Sequence, residues 1–146
     1  MTALINPPKT IPATPDQALE AIKAWEKRAL GHKQCPLQTT HNLHAGIYSR
    51  TVRIPAGAVI TGALIKIPTV LTIVGSMQIS IGSAIYEIDG LTTFDCEPGR
   101  KQIMAAKTDC FVTMAFASNA KTVAEAEEEF TDEAEMLLSR KMETNE

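Results

Sequence analysis

A few side chains in this sequence have the chemistry for catalysis or metal binding, and their spacing limits each of them. His41 and His44, in Thr40-His41-Asn42-Leu43-His44, are the only close histidine pair. On a helical turn an i, i+3 pair can hold one metal ion, but no third ligand stands beside it. On a strand the two rings would face opposite sides. The pair therefore reads as polar residues of the segment before the first strand: a loop, an oligomer contact, or hydrogen-bonding groups at a pocket mouth. Cys35, Cys96 and Cys110 form no CxxC pair, and their odd number argues against a full disulfide framework. They read as free thiols of a reducing compartment. Lys66 is a lone charge in an apolar run; it faces solvent or, turned inward, offers a cation to an anionic ligand. An enzyme would need His41, His44, Glu87 or Asp109 to converge with Lys66, and nothing in the spacing requires this. Gly75-Ser76-Met77-Gln78 lacks a GxGxxG context, and Gly99-Arg100-Lys101 lacks the preceding glycine of a phosphate-binding loop. No catalytic residue, metal ligand or cofactor is assigned on these grounds.

The elements that would position these residues fall into consecutive pieces. Residues 1–13 are proline-rich and predict an extended arm. A helix is predicted over 14–31, with Thr14 as its N-cap, Pro15 in the first turn, Gln17 completing a capping box and Gly31 as the stop. Ala18, Ile22, Trp25 and Ala29 recur at helical spacing, so Trp25 packs the helix onto the domain or onto a partner subunit. Residues 38–117 form the β domain, rich in Val, Ile and Thr and punctuated by glycines. Eight short runs, from Ile47–Ile54 to Phe111–Phe116, separated by turns and by no helix, predict an antiparallel sandwich or barrel. Residues 119–146 predict an acidic helical tail, with Thr122 and Glu125 as a capping box. Its sparse apolar face leaves two options: a solvated surface helix, or a helix that docks on a neighbouring subunit or partner through Phe130, Leu137 and Leu138.

Composition removes several function classes. The 146 residues suffice for one domain, 45% are hydrophobic, and the net charge is −3. Neither that charge nor the 5% aromatic content suits a nucleic-acid binder. The longest apolar stretch, Ala56 to Ile67, is too short and interrupted to span a membrane, and the N-terminus lacks a signal-peptide pattern. The charge is unevenly spread. Residues 1–116 carry eleven basic and eight acidic groups; residues 117–146 carry three and nine. A basic barrel and an acidic tail are expected to dock, within a subunit or between subunits.

The ordered set Arg53-Ile54-Pro55-Ala56-Gly57, Gly75 and Glu97-Pro98-Gly99 resembles the cupin family of jelly-roll proteins. The resemblance implies a mainly β fold, a cupin-type jelly-roll barrel, to which the residues add an N-terminal helix and a C-terminal acidic helix. Cupins carry a metal on two histidines and a glutamate of a first motif and a histidine of a second. Laid from Gly57, the first two positions fall on Ala63 and Ile65, the glutamate near Thr69, and the last histidine at Gln102. Residues 46–117 contain no histidine, so the scaffold is kept and every metal ligand is replaced. The barrel interior remains a ready pocket, with Tyr48, Arg50, Lys66, Gln102, His41 and His44 as candidates to line it.

A narrower resemblance comes from Thr40 to Arg50, Ile54-Pro55-Ala56-Gly57, Thr61-Gly62-Ala63-Leu64, Pro98-Gly99 and Glu128 to Glu135. It is to small cupin-like proteins of tailed phages and prophages. It implies a viral protein in the host cytoplasm or the virion, and the replaced ligand set points to a metal-free, non-catalytic one. Such a protein would act as a structural or binding homo-oligomer whose partners are copies of itself, other virion proteins or a host protein, with neither nucleic acid nor membrane among them. A small-molecule-binding or sequestering protein is the alternative, and a metal-free isomerase or epimerase a remoter one.

Overall fold

Alternation of apolar side chains gives each strand one face to bury, and two such sheets close on each other. The computed structural model describes Leu4, residues 6–31, residues 37–137 and Arg140. The six-stranded sheet runs β1 (Thr10–Ile11), β8 (Leu91–Cys96), β5 (Thr69–Val74), β10 (Cys110–Ala117), β3 (Ile47–Ile54) and β2 (Gln38–His44). The four-stranded sheet runs β4 (Val59–Thr61), β9 (Ile103–Ala106), β6 (Met77–Ile81) and β7 (Ala84–Ile88). The chain passes back and forth between them, which is jelly-roll topology. Helices α1 (Asp16–Ala29) and α2 (Val123–Phe130) flank this mainly β barrel.

The core lies between the sheets. Along β10, Cys110, Val112, Met114 and Phe116 point inward; along β6, Met77, Ile79 and Ile81 do the same from the opposite sheet. Tyr48 and Ile54 of β3 are fully buried. Gly75 turns the chain from β5 to β6 at φ 125°, and a Cβ there would fall 2.7 Å from Cys110 Sγ and 2.9 Å from the Asp109 carbonyl oxygen. Only glycine fits that turn.

Several local expectations are corrected. Residues 38–44 form a full strand, because every residue from Gln38 to His44 pairs with β3. Of the eight short runs the sequence predicts, the one over Ala58–Ile65 yields only Val59–Thr61 as strand, and the one over Lys101–Ala106 yields Ile103–Ala106. Thr14 does not cap α1: Pro15 holds the N-cap position, and the Thr14 hydroxyl donates to Lys101 O at 3.1 Å and accepts from Lys101 N at 2.9 Å. The described part of the arm packs on its own barrel: β1 pairs in parallel with β8, and Leu4 bridges to Tyr86 of β7.

In the tail, Thr122 caps α2 by accepting from Glu125 N at 3.2 Å. The Glu125 carboxylate accepts from Lys121 N at 2.8 Å, so the box closes one residue early. Helix α2 ends at Phe130, and a single 3-10 turn follows at Ala134–Met136. Leu138 and the residues after Arg140 lie outside the described residues.

Candidate functional site

The barrel holds a cavity of about 260 Å³. Val52, Met104, Val112 and Met114 supply its strand walls, and Ile65 joins them from the segment after β4. Both extensions complete it: Trp25 and Ala29 from α1, Phe130 from the end of α2, and Leu137 beyond it. Trp25 sits there because the stripe of α1 that carries it turns toward the barrel, held by Glu26. The Glu26 carboxylate accepts from Thr61 Oγ1 at 2.6 Å and pairs with Lys101 Nζ at 2.9 Å.

Polar groups in this apolar wall are few and mostly fixed. Arg50 points inward because β3 alternates, with Tyr48, Val52 and Ile54 on the same side. Its Nη1 lies 3.1 Å from Glu127 Oε2, and Arg140 Nε reaches Glu127 Oε1 at 2.8 Å. Glu127 is only 3% exposed, so α2 docks through a buried ion cluster. Arg100 Nη1 donates to Gln102 Oε1 at 2.8 Å and Nη2 to Thr69 Oγ1 at 2.7 Å. Gln102 Nε2 donates in turn to Ser80 O at 3.0 Å, which leaves its oxygen facing the guanidinium. Burial pulls Arg100 below its ordinary value, yet a guanidinium keeps its proton in proteins.

The sequence-predicted residues divide sharply. Arg50 and Gln102 line the cavity. Tyr48 is buried behind it and shares a 2.7 Å hydrogen bond with His41 Nδ1; burial pushes its hydroxyl up. His41 therefore serves Tyr48 rather than a pocket mouth. His44 is exposed on the opposite face of β2, as strand geometry requires. Lys66 faces outward and pairs with Asp132 at 2.6 Å, so it offers nothing to the cavity.

Glu87 pairs with Lys107, and Asp109 pairs with Arg53 at 2.7 Å. The constellation an enzyme would have drawn from these groups and Lys66 is not assembled. Phe130 is 1% exposed and stacks on Tyr48 with ring centroids 6.3 Å apart, and Leu137 is 8% exposed. Both pack within the subunit. Trp25 likewise turns to its own barrel. Reading the sequence alone missed Arg100, Lys101 and Glu26; a charged Arg-Lys pair directly after the Pro98-Gly99 turn was the available signal.

A metal does not fit the positions where the fold family carries one. Ala63 and Ile65 have no donor atom, and the Thr69 hydroxyl and Gln102 oxygen are occupied by a cation, the Arg100 guanidinium. Among the described residues no group of three or more His, Cys, Asp or Glu side chains is placed to hold an ion.

No family model matches the sequence. No curated protein matches it. Solved structures do. Salicylate 1,2-dioxygenase from Pseudoaminobacter salicylatoxidans is similar over 79% of this chain and 33% of its own, with a TM-score of 0.52 and 13% identity. KdgF from Halomonas sp. is similar over 61% of this chain and 86% of its own, with a TM-score of 0.49 and 14% identity. A cupin superfamily protein from Desulfitobacterium hafniense is similar over 60% of this chain and 83% of its own, at 0.48 and 8%. At such identities the likeness concerns fold alone: the chain is a cupin-type jelly roll.

Proposed function

We propose that this protein binds a small organic molecule in its barrel cavity without a metal and without transforming it. The observation that supports this is the cavity itself: an apolar chamber walled by barrel, α1 and tail together, with its buried polar groups held in place. Ligand sites commonly combine apolar walls with a few fixed polar groups. A thermal-shift screen of aromatic acids, sugars and nucleotides tests it. A ligand present at a hundred times its dissociation constant raises stability by about 2.7 kcal/mol. Ala63→Phe, which fills the chamber from its lining, is expected to abolish that shift. A broad panel with no shift, or an unchanged shift in Ala63→Phe, would overturn the reading.

A second reading is an oligomeric structural or partner-binding protein of phage type. It draws support from the outer face of the six-stranded sheet, where Leu91, Val74 and Phe111 lie side by side in register at 73%, 46% and 45% exposure. Contiguous exposed apolar surface marks interaction sites. Sedimentation and mass spectrometry of purified virions test it. A monomer absent from virions would remove this second reading.

A further inference from the structure

Arg50, Lys101 and Arg100 all line the cavity, and the first two have carboxylate partners. Arg50 is matched by Glu127 at 3.1 Å and Lys101 by Glu26 at 2.9 Å. Among the described residues Arg100 has none. It is 3% exposed, its two Nη groups meet the neutral acceptors Gln102 and Thr69, and its Nε is buried with no partner. A buried charge without a counter-charge is costly. The guanidinium is also held, because Gln102 is itself tied to Ser80 O. Glu133, also in the lining, has a buried Oε1 without a partner and makes no ion pair with Arg100.

On the reading of this cavity as a ligand site, we propose that its ligand is a small organic acid. The carboxylate meets Arg100 and completes its charge. An apolar body fills the space among Trp25, Met104 and Met114, and an O–H or N–H donor at the other end meets Glu133. A charge-assisted contact of this kind is among the stronger hydrogen bonds. A phosphate suits the site less well. The helices reach the cavity with Ala29 and Leu30 at the C-terminal end of α1 and Phe130 at the C-terminal end of α2. Helix C-termini disfavour added negative charge, so a singly charged carboxylate held by Arg100 is tolerated there better than a more highly charged phosphate, which favours helix N-termini.

Calorimetric titration of the full chain with 4-hydroxyphenylacetate and its neutral amide tests this, with indole as a probe of the apolar chamber alone. The acid is expected to bind roughly tenfold or more tightly than the amide, as a hydrogen bond to a charged group would give. Arg100→Gln is expected to bring the acid down to the level of the amide. If that variant does not fold, the acid-to-amide ratio of the wild type decides. Equal binding of acid and amide, or acid binding that survives Arg100→Gln, would overturn the inference and leave the cavity reading standing. Indole binding with no acid binding would do the same, and would point to Glu133 neutralising Arg100 in solution. No binding of any of the three would remove both.

Discussion

Glu127 sits in the run Glu127-Glu128-Glu129, which reads as the solvated face of an acidic helix. Only its partner reveals otherwise, and Arg50 stands 77 positions earlier in the chain. Arg50 was legible as a pocket residue; the carboxylate that fixes it was not, because burial of a charge depends on a long-range contact that no local pattern encodes. Removing one member of a buried pair strands the other. Glu127→Ala is therefore expected to cost about 3–5 kcal/mol in urea unfolding; a cost near zero would mean that Arg50 reaches water. Asp109 gives an acid-sensitive contrast. Its carboxylate accepts from Ala56 N at 2.9 Å and faces Arg53, and both hold it below its ordinary value of 3.8. A folded value below the unfolded one adds stability above the unfolded value, which is lost as pH falls through the folded one. Asp109→Asn is expected to flatten the decline in stability below about pH 4, measured by urea midpoints across that range.

At the scale of elements, the strands with apolar alternation were legible and the polar one was not. Met77–Ile81 carries its apolar residues at every second position. Gln38–His44 carries threonines, an asparagine and histidines, so it declares itself a strand only through pairing with β3. The helix over Asp16–Ala29 followed from its periodicity, yet its cap did not, because the Thr14 hydroxyl found a better-placed backbone in Lys101. The arm shields strand edges that would otherwise offer unpaired backbone groups to other chains. Asp95 N donates to Lys9 O at 3.0 Å, and Glu97 N to Ile11 O at 2.9 Å. Deleting residues 1–12 is expected to strip hydrogen-exchange protection from these two amides while β10 amides in the sheet interior keep theirs. Retained protection at Asp95 and Glu97 would show that the arm does not hold this edge.

Across the whole molecule, the opposition of basic barrel and acidic tail becomes contact within one subunit. Arg50 meets Glu127 in the interior, and Lys66 meets Asp132 at the surface. Salt screens the second pair far more than the first. The glycine and proline framework of the barrel was legible because turns demand specific backbone angles. The content of the cavity was not, because it depends on two extensions folding back across the barrel. Their folding back also places the single tryptophan, Trp25, in the cavity wall. Its fluorescence is therefore a direct reporter of occupancy. The decisive measurement is a titration of Trp25 emission with 4-hydroxyphenylacetate in the presence of EDTA, on the wild type and on Ala63→Phe. A saturable change in the wild type, absent from the filled variant and indifferent to EDTA, is the expected result. A change that EDTA abolishes would contradict metal-independent binding, and no saturable change would contradict this acid as a ligand of the cavity.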